Sequence, residues 1–216
     1  MIGVPGSSAQ PNQPRDEFLD EGMRLTRAVR NLLDHVVCAA PSTRTAELAD
    51  RVEDITRELG ALHAGSFFSW TSKLAPERLE QIKAYVAGST GRAIGSLWPA
   101  FNPLAPYILL EVEGNVASGR VRLGPAFAGN PGRVHGGTIA TILDHAMSGL
   151  LSHLGRPSVT ASLAVDYASG APTGQELSVL ANVERIEGRK TYLRAALTSG
   201  DRVHARGQGL YVMRAR

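Results

Sequence analysis

His135-Gly136-Gly137 opens a run of small and apolar residues that carries one carboxylate, Asp144, and a glycine turn followed by a placed acid is a combination able to do chemistry. If residues 137 to 154 are helical, Ile139, Leu143, Ala146, Met147, Leu150, Leu151 and Leu154 share one broad face. Thr141, His145, Ser148 and Ser152 gather on the opposite side, and Asp144 falls at the margin between them, beside Ala140 and Leu151. A carboxylate at such a margin is partly desolvated and is a candidate general base or nucleophile. Gly136 and Gly137 let backbone approach a ligand closely, and N–H groups in a first helical turn have no partner within the helix. They are candidates to hold a developing oxyanion at the positive end of the helix dipole. The same residues also describe a tight strand-to-helix turn capped by His135 with Asp144 at the surface, and spacing alone leaves both readings open.

The elements around this helix read as strands. Tyr107 to Glu113 and Ala117 to Leu123 alternate with period two around a Gly114-Asn115 turn, and Pro125 to Arg133 leads into the helix. After the helix, Val159, Ala161, Leu163, Val165 and Tyr167 are expected on one side of a strand, with Thr160, Ser162 and Asp166 on the other. Leu177 to Val183 and Thr191 to Thr198 follow, separated by a Glu187-Gly188-Arg189 turn, and then Val203 to Met213. Gly207 and Gly209 in that last strand predict a bulge or a close backbone approach. Two strands, one long helix and four further strands predict an α+β fold in which a single antiparallel sheet of about six strands wraps one central helix.

Upstream of residue 105 the pattern is helical. Phe18, Leu25, Val29, Leu32, Leu33 and Val36 mark one amphipathic helix, and Leu48, Val52, Ile55, Leu59 and Leu62 mark a second, so the two are expected to pair as a hairpin across Pro41-Ser42. A third helix is expected from Pro76 to about Val86, followed by a connector from Gly88 to Pro106 that packs Trp98 and Phe101. The chain then divides into a disordered start (1–14), a helical extension with its linker (15–104) and a sheet domain (105–216). The first residues lack the basic start and apolar run of a signal peptide, and no segment has about 18 consecutive apolar residues, so a cytoplasmic protein without a membrane span is expected. Cys38, alone in the sequence, excludes an intrachain disulfide and a cysteine zinc site, and its apolar neighbours predict a buried, inert thiol. The net charge of +3 lies in scattered arginines, a poor match for nucleic acid and a better one for a small anionic ligand.

His135-Gly136-Gly137, Ala140-Thr141 and Asp144-His145-Ala146-Met147, in that order of strands and helix, resemble the PaaI-type hotdog thioesterases. Thr160 to Tyr167 is similar to the next strand of the same family, in the branch that carries a helical N-terminal extension, and the likeness covers residues 105 to 213. The resemblance implies the hotdog fold and hydrolysis of acyl-CoA thioesters in a homodimer, or a dimer of dimers, with each site shared by two subunits. It implies that Asp144 activates water or attacks the thioester carbonyl and that Thr160 of the same subunit positions the water. Gly136 N–H of the other subunit would polarise the carbonyl oxygen, with His135 and Gly137 placing the thioester. Asn130 is the nearest match to a polar residue that relatives carry before the histidine, and Arg189 and Lys190 are the candidates for the coenzyme A phosphates. A solvated hairpin turn accounts for these two equally well. His145 points about 100° away from Asp144 and is expected at a surface or subunit interface. No metal or cofactor is expected, coenzyme A being part of the substrate. Two rivals remain: a non-catalytic acyl-CoA-binding or scaffold protein, and a hotdog hydratase or dehydratase, whose usual Pro-containing histidine context is missing here.

Overall fold

The computed structural model describes residues 17–62, 75–90 and 98–213. The disordered start expected over 1–14 and part of the expected connector lie outside them, as do the side chains of Phe18 and Trp98. The described chain runs α1 (Glu17–Val36), α2 (Thr43–Ala61), α3 (Pro76–Thr90), α4 (Trp98–Phe101), β1 (Leu109–Glu113) and β2 (Val116–Arg122). A 3-10 turn (Pro125–Phe127) and the short pair β3 (Ala128–Asn130) and β4 (Arg133–Val134) lead into α5 (Gly136–His153). Four long strands complete it: β5 (Ser158–Tyr167), β6 (Glu176–Glu187), β7 (Lys190–Ser199) and β8 (Arg202–Met213).

Six strands form one antiparallel sheet in the order β1-β2-β6-β7-β8-β5, with α5 packed on one face. This is the single antiparallel sheet on one central helix predicted from the strand and helix order, and the hotdog arrangement that the family resemblance implies. Its tight turns at Gly114 and Gly188 fall where expected, and these two and Gly200 each adopt a positive φ between paired strand ends. Ile142, Leu143, Met147, Leu150 and Leu151 of α5 are fully or almost fully buried, and each such side chain contributes roughly 2 kcal/mol of apolar burial. They pack against Leu110, Leu177, Val179, Leu193, Leu197 and Tyr211 of the sheet. Burial extends around α5 further than one face, because Ile142, His145 and Gly149 are also covered. At Gly149 a Cβ would meet the Leu110 side chain, so the missing side chain brings helix and β1 together.

Three expectations about the helical extension are corrected. The stripe of α1 that docks is only in part the expected one: Leu25, Leu32 and Val36 are 41–58% exposed, Val29 and Leu33 are half-buried, and Leu19 and Thr26 are buried. The docked face is held by polar groups. Arg30 donates to the carbonyls of Asn102 and Ala105 and lies over the Tyr107 ring, and Asp34 accepts from Ala126 N–H, while Thr26 Oγ1 donates back to Gly22 O of its own helix (3.0 Å). Second, α2 buries none of its residues and does not pack along α1 as a hairpin. Its stripe of Leu48, Val52 and Ile55 stays exposed. Third, α1 stops at Val36, so Cys38 sits in the following turn and is exposed, where a buried thiol was expected. In the connector, α3 runs on to Thr90 and α4 forms a further helical turn.

Candidate active site

His135 is the N-cap of α5. Its backbone is extended (φ −63°, ψ 138°), and its Nδ1 accepts from Gly137 N–H at 3.0 Å. The ring proton in this arrangement is on Nε2, facing outward. Gly137 N–H is thereby occupied, whereas Gly136 N–H makes no hydrogen bond to any described residue. Gly136 is thus a helix-terminal donor with nothing to satisfy it among the described residues, the property an oxyanion site needs.

Several contacts fix that turn. Tyr167 OH donates to Gly136 O (2.9 Å), and His135 N–H donates to Phe127 O (2.9 Å). Gly129 packs so closely on the His135 ring that a Cβ there would lie 2.9 Å from Cδ2. Val134 N–H donates to Ala171 O, in a loop held by the buried His204. That histidine lies between Ser199 Oγ (2.7 Å) and Ser169 Oγ (3.0 Å), and its carbonyl accepts from Ala168 and Ser169 N–H. Asn130, at the end of β3, pairs with Arg133 beside this same turn.

Asp144 lies two turns further along α5, half-buried, and is gripped from the sheet. Thr160 Oγ1 donates to Asp144 Oδ1 at 2.8 Å and Tyr211 OH donates to the same oxygen at 2.9 Å. The predicted alternation put Thr160 on the far side of β5 from Leu163 and Val165, away from the helix, and the structure corrects this. The ladder between β5 and β8 slips between Thr160 and Ser162, so Ala161 is an extra residue and Thr160 turns to the helix side. Tyr211 was not picked out by sequence reasoning. It lies directly opposite Thr160 in the ladder, and the signal that could have found it is the Gly207-x-Gly209-x-Tyr211 alternation. Those glycines were read only as a bulge or close approach, and close approach is what occurs. A Cβ at Gly207 would lie 3.3 Å from Leu143 Cδ1, and one at Gly209 would lie 2.5 Å from the Tyr211 ring.

Burial, then the nearby Asp144 carboxylate, pushes the Tyr211 phenol above its ordinary range, so it stays a donor at every working pH. His145, expected at a surface or subunit interface, is buried within the chain at 8% exposure, and that burial lowers its pKa to about 4 against a smaller opposing pull from Asp144. It is a neutral core residue. Arg189 donates from Nε and Nη2 to Met213 O (3.0 and 2.8 Å), while Arg156 Nη2 donates to Gly188 O (2.8 Å). The Arg189-Lys190 turn therefore sits at the Thr160 end of the sheet, two strands or about 10 Å across from β5.

The candidates thus separate into two groups on one chain: His135, Gly136, Gly137 and Asn130 at the start of α5, and Asp144 with Thr160, Tyr211 and the basic turn. Eight residues of helix, about 12 Å, lie between Gly136 and Asp144.

Residues 131–206, which contain the candidates of both groups other than Asn130 and Tyr211, match the family model of the thioesterase superfamily. This stretch of the chain is similar to a thioesterase-superfamily domain. Acyl-coenzyme A thioesterase THEM4 of Xenopus laevis is 35% identical over 91 residues, 41% of each chain. THEM4 of Rattus norvegicus is 34% identical over 86 residues, 39% of this chain and 37% of that one. The chain thus matches about two-fifths of the length of these relatives. The likeness of fold extends further, because the solved structure of a thioesterase superfamily protein superposes with a TM-score of 0.69 over 88% of this chain and 94% of that one, at 23% identity. The sequence resemblance to hotdog thioesterases agrees with the thioesterase-superfamily match. No described helix is long and apolar enough to cross a membrane.

Proposed function

We propose that the protein hydrolyses acyl-CoA thioesters, with Asp144 as the reacting carboxylate and Gly136 N–H as the donor to the carbonyl oxygen. The observation that carries this reading is the Thr160–Asp144 hydrogen bond of 2.8 Å, which joins the two residues that the family likeness assigns to one reaction. The names of the THEM4 relatives support the substrate class. In the hydrolysis, a water oxygen forms a bond to the thioester carbonyl carbon, and its proton passes to Asp144 as the carbonyl electrons move to oxygen. Collapse of the tetrahedral species breaks the C–S bond, and the thiolate leaves with a proton, giving free acid and coenzyme A. If Asp144 attacks first, an anhydride forms and water then cleaves it, with the same net balance.

Each site in this reading takes its parts from two subunits. The donor and the base must meet one carbonyl group, and about 12 Å of helix keeps Gly136 and Asp144 of one chain from doing so. The edge strand β5 supports a homodimer, because Val159, Thr160, Ala161, Ser162, Ala164, Asp166 and Tyr167 are exposed along it and its outer ladder is unpaired. A second chain laid against that edge would bring one α5 N-terminus toward the other chain's Asp144. Asn130 then belongs with the donor subunit, and Arg189 and Lys190 face coenzyme A phosphates from the subunit that supplies Asp144.

The test is thiol release from a panel of acyl-CoAs. The wild-type chain turns over at least one acyl class, and Asp144→Ala abolishes release while the oligomer keeps its size. Undiminished turnover in that variant sinks the mechanism, and no turnover on any acyl chain favours a binding protein.

A further inference from the structure

We propose that Tyr211 is a positioning residue for Asp144, its hydroxyl sharing Oδ1 with Thr160 so that Oδ2 is the oxygen presented to the reaction. The proposal rests on the reading of Asp144 as the reacting carboxylate. Tyr211 has no exposed surface, yet its hydroxyl reaches Asp144 Oδ1 at 2.9 Å and lies 3.4 Å from the Asp144 carbonyl oxygen. Burying a phenol is unfavourable unless its O–H finds a partner, and here that partner is the carboxylate itself.

The placement is built into three elements at once. Thr160 and Tyr211 are cross-strand neighbours, the Ala161 bulge turns Thr160 toward the helix, and Gly209 leaves the space that the Tyr211 ring occupies. Two donors on one oxygen hold the plane of the carboxylate, whereas a single donor would let it swing about its last torsion. No described residue donates to Oδ2. That oxygen is therefore the one aimed to take a proton from water or to attack, and the same restraint serves either route. Because the phenol remains protonated, it cannot change from donor to acceptor as the pH is varied. Tyr211 does not touch the reacting atoms and acts through Asp144.

The experiment compares wild type, Tyr211→Phe, Thr160→Val, the double variant and Asp144→Ala on the best acyl-CoA of the panel. Phenylalanine fills the same volume, so the fold is retained and only the bond is lost. We expect kcat of Tyr211→Phe to fall about tenfold, the effect of one hydrogen bond to a charged group, with KM unchanged within about twofold. The double variant should depart from the product of the two single losses, because both donors act on one oxygen. Turnover of Tyr211→Phe at the wild-type level, a loss carried in KM, or strict additivity overturns the proposal. Wild-type turnover in Asp144→Ala instead overturns the reading beneath it. Should the phenylalanine variant fail to fold, 2,3-difluorotyrosine at position 211 keeps ring and hydroxyl while altering donor strength. A changed kcat at constant KM then supports the proposal, and an unchanged kcat contradicts it.

Discussion

Gly209 and Tyr211 divide one volume on the inner face of β8, and that division is what lets a core tyrosine reach Asp144. His145, next to the catalytic candidate, has the opposite character. With its pKa near 4 in the folded chain against 6.5 otherwise, it stays neutral in the fold while the unfolded chain takes up a proton between those values. Its contribution to stability is therefore fully present above about pH 6.5, falls as pH drops toward 4, and changes no further below that, for a total of about 3 kcal/mol. Urea unfolding between pH 4 and 7 should show a shallower decline for His145→Gln than for wild type. Parallel curves would contradict the burial account. The two neighbours also mark the limit of what was legible in the sequence. A 3.6-residue period placed Asp144 at a margin correctly, but it put His145 on an open face, because helical phase does not say that a second layer covers that face. Thr160 was found through the family resemblance and misplaced by alternation, since a bulge of one residue leaves no trace in composition. Tyr211 went unnoticed because its partner is 67 residues away.

At the scale of elements, the strand and helix order was readable because β1–β2 and β6–β7–β8 close through short glycine turns and β2, β6 and β7 alternate over most of their length. The helical extension was less readable. Its apolar stripes are real but do not decide the docking, which depends on Arg30 and Asp34 finding backbone partners far along the chain. Asp34 gives the extension a link to the site. Its carboxylate accepts from Ala126 N–H at the start of the 3-10 turn, leaves no room for a Cβ at Gly124, and so holds the segment whose Phe127 carbonyl receives His135 N–H. Asp34→Ala should cost about 1 kcal/mol, as loss of a capping carboxylate does, and should lower kcat/KM by loosening the donor turn. Urea midpoints and the thiol assay check both parts. Unchanged turnover would reduce Asp34 to a structural tie.

For the whole molecule, the proposed mechanism makes the two groups on α5 halves of one site. The exposed β5 edge and the separation of about 12 Å between Gly136 and Asp144 argue for the same assembly from different directions. Gly136 also permits a clean substitution. It is the first helical residue, its predecessor is already extended at ψ 138°, and an added Cβ meets only the Tyr167 ring at 3.4 Å, so Gly136→Pro removes the N–H with little strain. The most direct measurement co-expresses Asp144→Ala and Gly136→Pro chains under two affinity tags and assays the purified heterodimer. Each homodimer should be inactive, and the heterodimer should recover about half of wild-type turnover, because one of its two sites regains both parts. A heterodimer as inactive as its parents would contradict the shared site.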